Sequence, residues 1–207
     1  MKVAIINYGM GNLASVRRAL EDIGVQPYIA EHPAALHEAN RIILPGVGAF
    51  SQGMQCLTDG GWVDALRDAV DRQHRPLLGI CLGMQMLASD GDEGGAARGL
   101  GFIPGSIRRL DALGCRLRLP HVGWNEVVYR ASDDFFRQIP DASDFYFVHS
   151  YALVPEDPGH VLATTPYGCD LVSVVRHRNI FGCQFHPEKS SKAGRQLLRN
   201  FVSHVPC

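Results

Sequence analysis

Apolar positions in the first half of the chain follow two alternating periods. Val3–Ile6, Pro27–Ala30, Arg41–Pro45 and the run that begins Arg75-Pro-Leu-Leu are short apolar stretches that read as buried strands. Between them, Leu13, Val16, Leu20 and Ile23 recur at helical spacing, with Asn12 placed to cap the helix and Gly24 to end it. Further helical stretches are predicted from Pro33 to Ala39 and from Trp62 to Arg72, and Met84-Gln-Met-Leu-Ala opens another after Cys81. Strands alternating with helices imply βαβ units and a parallel sheet, with ligands expected beyond the C-terminal strand ends.

The character changes at Ser89-Asp-Gly-Asp-Glu-Gly-Gly-Ala-Ala-Arg, which reads as a flexible surface loop. Helical period fades after it. Strands are predicted at Ser106–Leu110, Leu113–Leu119, Glu126–Tyr129, Phe145–His149 and Leu171–Arg176. Val174–His177 and Ile180–Gln184 form a predicted hairpin around Arg178-Asn179, and Ser190–Val205 a closing helix. The expected fold is one α/β domain over residues 1–207. A mostly parallel sheet is flanked by helices, with an additional antiparallel or mixed strand region in the second half.

Composition narrows the class. With 207 residues, 46% hydrophobic and 20% charged, the chain suits a single well-packed domain. A net charge of -1 leaves no electrostatic footprint for nucleic acid or an anionic membrane. The start, Met1-Lys-Val-Ala-Ile-Ile-Asn, reads as a first strand instead of a signal peptide, and no apolar run reaches membrane-spanning length. The six cysteines show no C-x-x-C pair, so reduced thiols in the cytoplasm are expected, with no disulfide.

The chemistry concentrates at Gly79-Ile80-Cys81-Leu82-Gly83, where an apolar strand must turn sharply into a helix. A nucleophile on such a turn is squeezed between two backbones, so the positions two before and two after it favour glycine. Helix N–H groups near the sulfur favour its thiolate. A cysteine nucleophile needs a base and an orienting group. Of nine histidines, His186 in His186-Pro187-Glu188 has a carboxylate placed to orient it. Acyl transfer also creates an oxyanion, which preorganised N–H donors stabilise. Leu82 supplies one N–H after the nucleophile. The second is expected from Leu44-Pro45-Gly46-Val47-Gly48, where two glycines let the Val47 peptide approach or rotate toward the charge.

Gly-Ile-Cys-Leu-Gly-Met-Gln, Leu-Pro-Gly-Val-Gly and Gln-Phe-His-Pro-Glu-Lys-Ser-Ser together resemble the signatures of class I, triad-type glutamine amidotransferases. Asn7-Tyr-Gly-Met-Gly-Asn-Leu-Ala-Ser-Val, Pro120-His-Val-Gly-Trp-Asn125 and Phe145-Tyr-Phe-Val-His-Ser-Tyr151 further resemble the glutaminase subunits of imidazole glycerol phosphate synthase. This resemblance spans the chain, with Asp92–Arg98 its least diagnostic stretch. It implies that Cys81 attacks the γ-amide of L-glutamine, that His186 protonates the departing ammonia, and that water hydrolyses the resulting thioester. Gly46, Gly48, Gln85, His149, Ser150 and Tyr151 are implied as substrate contacts, with no cofactor and no metal. Ammonia is implied to pass to a (β/α)₈ cyclase barrel in a heterodimer, in histidine biosynthesis. Asn12, Trp124, Tyr146 and Lys189 are implied to face that partner. Trp124 equally suits a core aromatic and Lys189 a solvated charge.

Other readings remain at this level. Cys183, His186 and His177 offer part of a zinc site but lack a convincing second pair of ligands. A cysteine peptidase or esterase shares the elbow, and a non-catalytic binding module shares the fold. Anthranilate and pyridoxal phosphate synthases also use separate glutaminase subunits, and the segments Tyr8–Asn12 and His121–Asn125 discriminate against them by resemblance alone. The remaining cysteines, Cys56, Cys115, Cys169 and Cys207, read as small apolar fillers or surface thiols.

Overall fold

The computed structural model describes residues 1–203. Its main sheet has nine strands and two characters. Strands β1 (Val3–Ile6), β2 (Pro27–Ala30), β3 (Arg41–Gly46), β4 (Leu77–Cys81) and β13 (Ile180–Cys183) pair in parallel in the order β2-β1-β3-β4-β13. The sheet continues antiparallel through β12 (Asp170–His177), β11 (Val161–Pro166), β8 (His121–Tyr129) and β9 (Ser143–His149). A four-stranded sheet of β10 (Tyr151–Pro155), β7 (Gly105–Arg109), β5 (Asp90–Gly91) and β6 (Ala97–Arg98) stands beside it.

The two-residue period of the strands sorts the core into two layers. Ala4, Ile6, Ile42 and Leu44 face the layer that holds α2 (Phe50–Asp59) and α3 (Trp62–Arg67), through Phe50, Met54, Leu57, Trp62 and Leu66. Val3, Ile5, Ile43, Leu78 and Ile80 face the opposite layer, which holds α1 (Leu13–Glu21) and α5 (Ser191–Ser203) through Val16, Leu20, Leu197, Leu198 and Phe201. Asn12 caps α1 as expected, its side chain accepting from the Ser15 N–H at 3.2 Å. The predicted Pro33–Ala39 stretch is a 3₁₀ turn over Pro33–Glu38. Residues 204 and 205 of the predicted closing helix, and Cys207, lie outside the described residues.

Several expectations are corrected. Leu113–Leu119 is not a strand. Leu113 and Gly114 donate back to Leu110 and Asp111, and Leu110 and Cys115 bury against Ala152 and Leu171 in a small separate core. The predicted helix from Trp62 to Arg72 ends at Arg67 and relaxes into a π-helical turn over Asp68–Arg72. β3 runs past Pro45, because its pairing to β1 reaches only Ile43. The helix after Cys81, α4 (Leu82–Gln85), makes a single turn. The carbonyls of Met86, Leu87 and Ala88 are taken by the N–H groups of Leu100, Ile103 and Gly101, so the helical ladder cannot continue. Helix α2 and strands β10 and β11 were not anticipated, and β8 begins five residues before the predicted Glu126.

Candidate active site

Cys81 ends β4 with φ 54° and ψ −109°, a strained conformation for a residue with a side chain. The flanking glycines explain how the turn closes. A β-carbon on Gly79 would lie 2.6 Å from the Gly83 carbonyl oxygen, and one on Gly46, the β-bridge partner of Cys81, 2.5 Å from the Tyr8 hydroxyl. The elbow predicted from sequence is therefore present in geometry.

β13 carries the chain toward Cys81 from the other side. Past its end, His186 Nδ1 donates to Glu188 Oε1 at 2.8 Å, and both side chains are almost wholly buried. Ser190 locks this segment by donating to the His186 carbonyl at 2.6 Å and accepting from the Tyr146 N–H at 3.0 Å. His186 Nε2 is buried with no geometric hydrogen-bond partner, and the Cys81 sulfur is its electrostatic neighbour. Burial alone would push the His186 pKa down. The Cys81 and Glu188 side chains more than reverse this and raise it to about 9, which favours an imidazolium beside the sulfur. Because α4 is one turn long, the charged group beside the sulfur is this imidazolium, and little of the expected helix dipole is present.

A cavity of about 420 Å³ opens on the sulfur, lined by Val47, Gly48, Cys81, Leu82, Gln85, Glu93, Pro120, Val148, His149, Ser150, Tyr151 and His186. Most of the sequence-predicted contacts thus meet on one wall. Gly46 is outside that lining, paired with Cys81 in the sheet, and Glu188 stands behind His186. Gln85 has both Nε2 hydrogens committed, to the Tyr151 carbonyl at 3.0 Å and to Gln184 Oε1 at 3.1 Å, so only Oε1 is left for a ligand. His149 is buried, and its Nδ1 donates to the same Tyr151 carbonyl at 2.8 Å. Among the described residues, no three His, Cys, Asp or Glu side chains gather into a cluster able to hold a metal.

Residues 4–205 match the family model of "Glutamine amidotransferase class-I". The chain is a class-I glutamine amidotransferase. It is 46% identical over 199 residues to the imidazole glycerol phosphate synthase subunit HisH of Moorella thermoacetica, covering 96% of this chain and 93% of that one. It is equally 46% identical to the subunit of the same name from Halobacterium salinarum, covering 98% and 93% of the two chains. Among solved structures, PurLQS from Thermotoga maritima superposes with TM-score 0.75 at 19% identity over 99% of each chain. A glutamine amidotransferase from the same organism gives 0.69 at 17% identity, over 99% of this chain and 97% of that one. These two likenesses show the fold.

Three of the four residues expected to face a partner come together on the amidotransferase surface. Trp124 on β8 and Tyr146 on β9 are cross-strand partners, their rings edge to face at 6.1 Å, and Lys189 Nζ lies 5.8 Å from the Tyr146 ring centre. Trp124 is 54% exposed, which rules out the core reading. With exposed Val47, Val122 and Val148 it forms an apolar rim beside the cavity mouth. Asn12 is exposed, but its side chain already serves as the cap of α1.

Sequence reasoning missed Glu93, Pro120 and Val148 in the cavity wall. Glu93 belongs to the stretch taken for a flexible loop, yet its carbonyl accepts from the Ser51 N–H at 3.1 Å, which ties it to the start of α2. Burial raises the pKa of its carboxyl group. Among the described residues no helix is long and apolar enough to cross a membrane.

Proposed function

We propose that this amidotransferase is the glutaminase subunit of an imidazole glycerol phosphate synthase, hydrolysing L-glutamine through a thioester on Cys81. The observation that carries the reading is the Cys81–His186–Glu188 constellation at the floor of a cavity of amino-acid size. The Cys81 thiolate attacks the γ-carbonyl carbon. The resulting oxyanion is met by the Leu82 N–H and by the Val47 peptide, worth roughly 3–4 kcal/mol per donor. As the C–N bond breaks, the proton on His186 Nε2 goes to the leaving nitrogen, which departs as ammonia. His186, now neutral and held in one tautomer by Glu188, takes a proton from water as its oxygen attacks the thioester. Glutamate leaves and the thiolate returns. Glu93, the carboxylate in the cavity wall apart from the triad, is suited to the α-ammonium group of the substrate.

The relatives named imidazole glycerol phosphate synthase subunit HisH favour this synthase over anthranilate or pyridoxal phosphate synthesis. The partner of this reading is a (β/α)₈ cyclase barrel docked as a heterodimer on the rim of Val47, Val122, Trp124, Tyr146, Val148 and Lys189, where it receives ammonia and makes imidazole glycerol phosphate and aminoimidazole carboxamide ribonucleotide. The place of work is the cytoplasm, in histidine biosynthesis. The exposure of Val47, between Gly46 and the positive-φ Gly48 in the oxyanion loop, supports gating by the partner. The test is glutamine hydrolysis with and without the cyclase and its nucleotide. Slow turnover by the isolated chain, and much faster turnover in the complex, is expected. Equal rates contradict the gating, and recovery of a different synthase by affinity capture contradicts the assignment.

A further inference from the structure

Between Cys183 at the end of β13 and His186 stands Gln184, wholly buried, whose side chain no step above uses. Its Nε2 lies 3.8 Å from the Cys81 sulfur, within hydrogen-bond range for sulfur. We propose that Gln184 is a further catalytic residue: its carboxamide donates an N–H to the Cys81 thiolate and holds it on the side from which it attacks. This rests on the reading of Cys81 as nucleophile.

Donation requires that the amide point its nitrogen, not its oxygen, at the sulfur. The surroundings impose that orientation. The Tyr151 carbonyl can only accept, so the Gln85 group facing it must be the Nε2 amine. The second hydrogen of that amine then points at Gln184, whose facing atom must accept and is therefore Oε1. Nε2 of Gln184 is left directed at the sulfur.

The same carbonyl is anchored from the other side. It accepts from His149 Nδ1, which leaves His149 Nε2 to accept from His121 Nδ1 at 3.0 Å. His121 Nε2 in turn accepts from the Asn125 amide at 3.2 Å, and that amide also donates to the Pro166 carbonyl at 2.9 Å. Burial lowers the pKa of both histidines to about 4, so neither gains a proton that would reverse the chain near neutral pH. A connected hydrogen-bond path thus joins the Cys81 sulfur to β8, with Gln85 and His149 both donating to the Tyr151 carbonyl at its middle, and its far end, Asn125, is the neighbour of Trp124.

Two effects follow from an N–H on the sulfur. It stabilises the thiolate relative to the thiol, adding to the imidazolium of His186. It also removes rotational freedom from the sulfur before attack. When the carbon–sulfur bond forms, the sulfur loses its negative charge and the interaction weakens, so the donor does not hinder breakdown of the thioester.

The test reads the thiolate directly. The full chain and its Gln184→Leu and Gln184→Met variants, both without an N–H donor or a new charge, are treated with iodoacetamide across pH, with Cys81 alkylation followed on its own peptide by mass spectrometry. Folding of each variant is checked by circular dichroism, and either variant alone suffices. The titratable groups around the sulfur are His186 with Glu188 behind it, Tyr8, Cys183 and, across the cavity, Glu93, with His149 near His186. All stay in place in both variants, so a difference from wild type reports Gln184. The expected midpoint of Cys81 alkylation rises by about half a pH unit or more in both variants. In the synthase complex, kcat for glutamine falls about tenfold or more with KM within about threefold. A midpoint shift below about half a unit in the folded variants, or a loss confined to KM, overturns the proposal. If alkylating Cys81 in the wild type leaves glutamine hydrolysis intact, the nucleophile assignment fails instead.

Discussion

A β-carbon on Gly83 would stand 1.8 Å from the Leu44 carbonyl oxygen, so the first turn of α4 presses directly on the end of β3. This contact, with that of Gly79 against the Gly83 carbonyl, holds Cys81 in its positive-φ conformation and its sulfur over the cavity. Gly83→Ala meets backbone on one side and has no flexible side chain to displace. It is expected to cost about 2–4 kcal/mol of stability and to reduce glutamine turnover about 100-fold or more. Thermal unfolding and steady-state assays check both. An alanine variant with wild-type turnover would show that the elbow is not pinned at Leu44.

The sequence reveals this elbow because the constraint is local: glycines at fixed offsets from one cysteine suffice to specify it. His186 and Glu188 are legible for the same reason, being two residues apart. The parallel half of the sheet follows from β-branched runs and capped helices. What escaped depends on contacts between distant segments. Phe50, Met54 and Leu57 carry a helical period, but Gly53 in their midst hides it, and only the fold shows why glycine is there. A β-carbon on Gly53 would lie 2.8 Å from Met86 Sδ, so the residue lets α2 settle on the elbow segment. Leu113, Cys115, Leu117 and Leu119 alternate as a strand does, but no sheet edge receives them. Glu93 reaches the cavity only because β5 and β6 join β7 and the N-terminus of α2 holds its carbonyl. Gln184 stands inside a motif visible in sequence, but its role depends on Gln85 and Tyr151, 99 and 33 residues away.

The protonation of His186 gives a second prediction. Its pKa is raised from 6.5 to about 9, so the folded state holds this proton more tightly than the unfolded chain. The resulting stabilisation is present in full below about pH 6.5 and is lost as the pH rises through about 9. Imidazole NMR titration is expected to place His186 far above an ordinary histidine, and both Cys81→Ala and Glu188→Gln are expected to lower it. A His186 that titrates near 6.5 in the wild type contradicts the ion-pair picture of the resting site.

Trp124 supplies the third. Half of its surface meets solvent in the isolated chain, beside Tyr146 and Lys189. As an anchor in a pocket of the partner, its truncation to alanine is expected to weaken binding by about 2 kcal/mol, or roughly 30-fold in Kd, by titration calorimetry. The isolated variant is expected to keep its unfolding temperature within about 2 °C, because little packing is lost. Unchanged affinity for the partner would move the interface elsewhere.

Cys81→Ala tests the central claim most directly. In the reconstituted synthase, this variant is expected to lose glutamine-dependent product formation, while a high concentration of ammonia still supports the partner's reaction. Glutamine-dependent synthesis retained by the alanine variant would contradict the account, because no other residue in the cavity is placed beside both His186 and the Leu82 N–H to form the thioester.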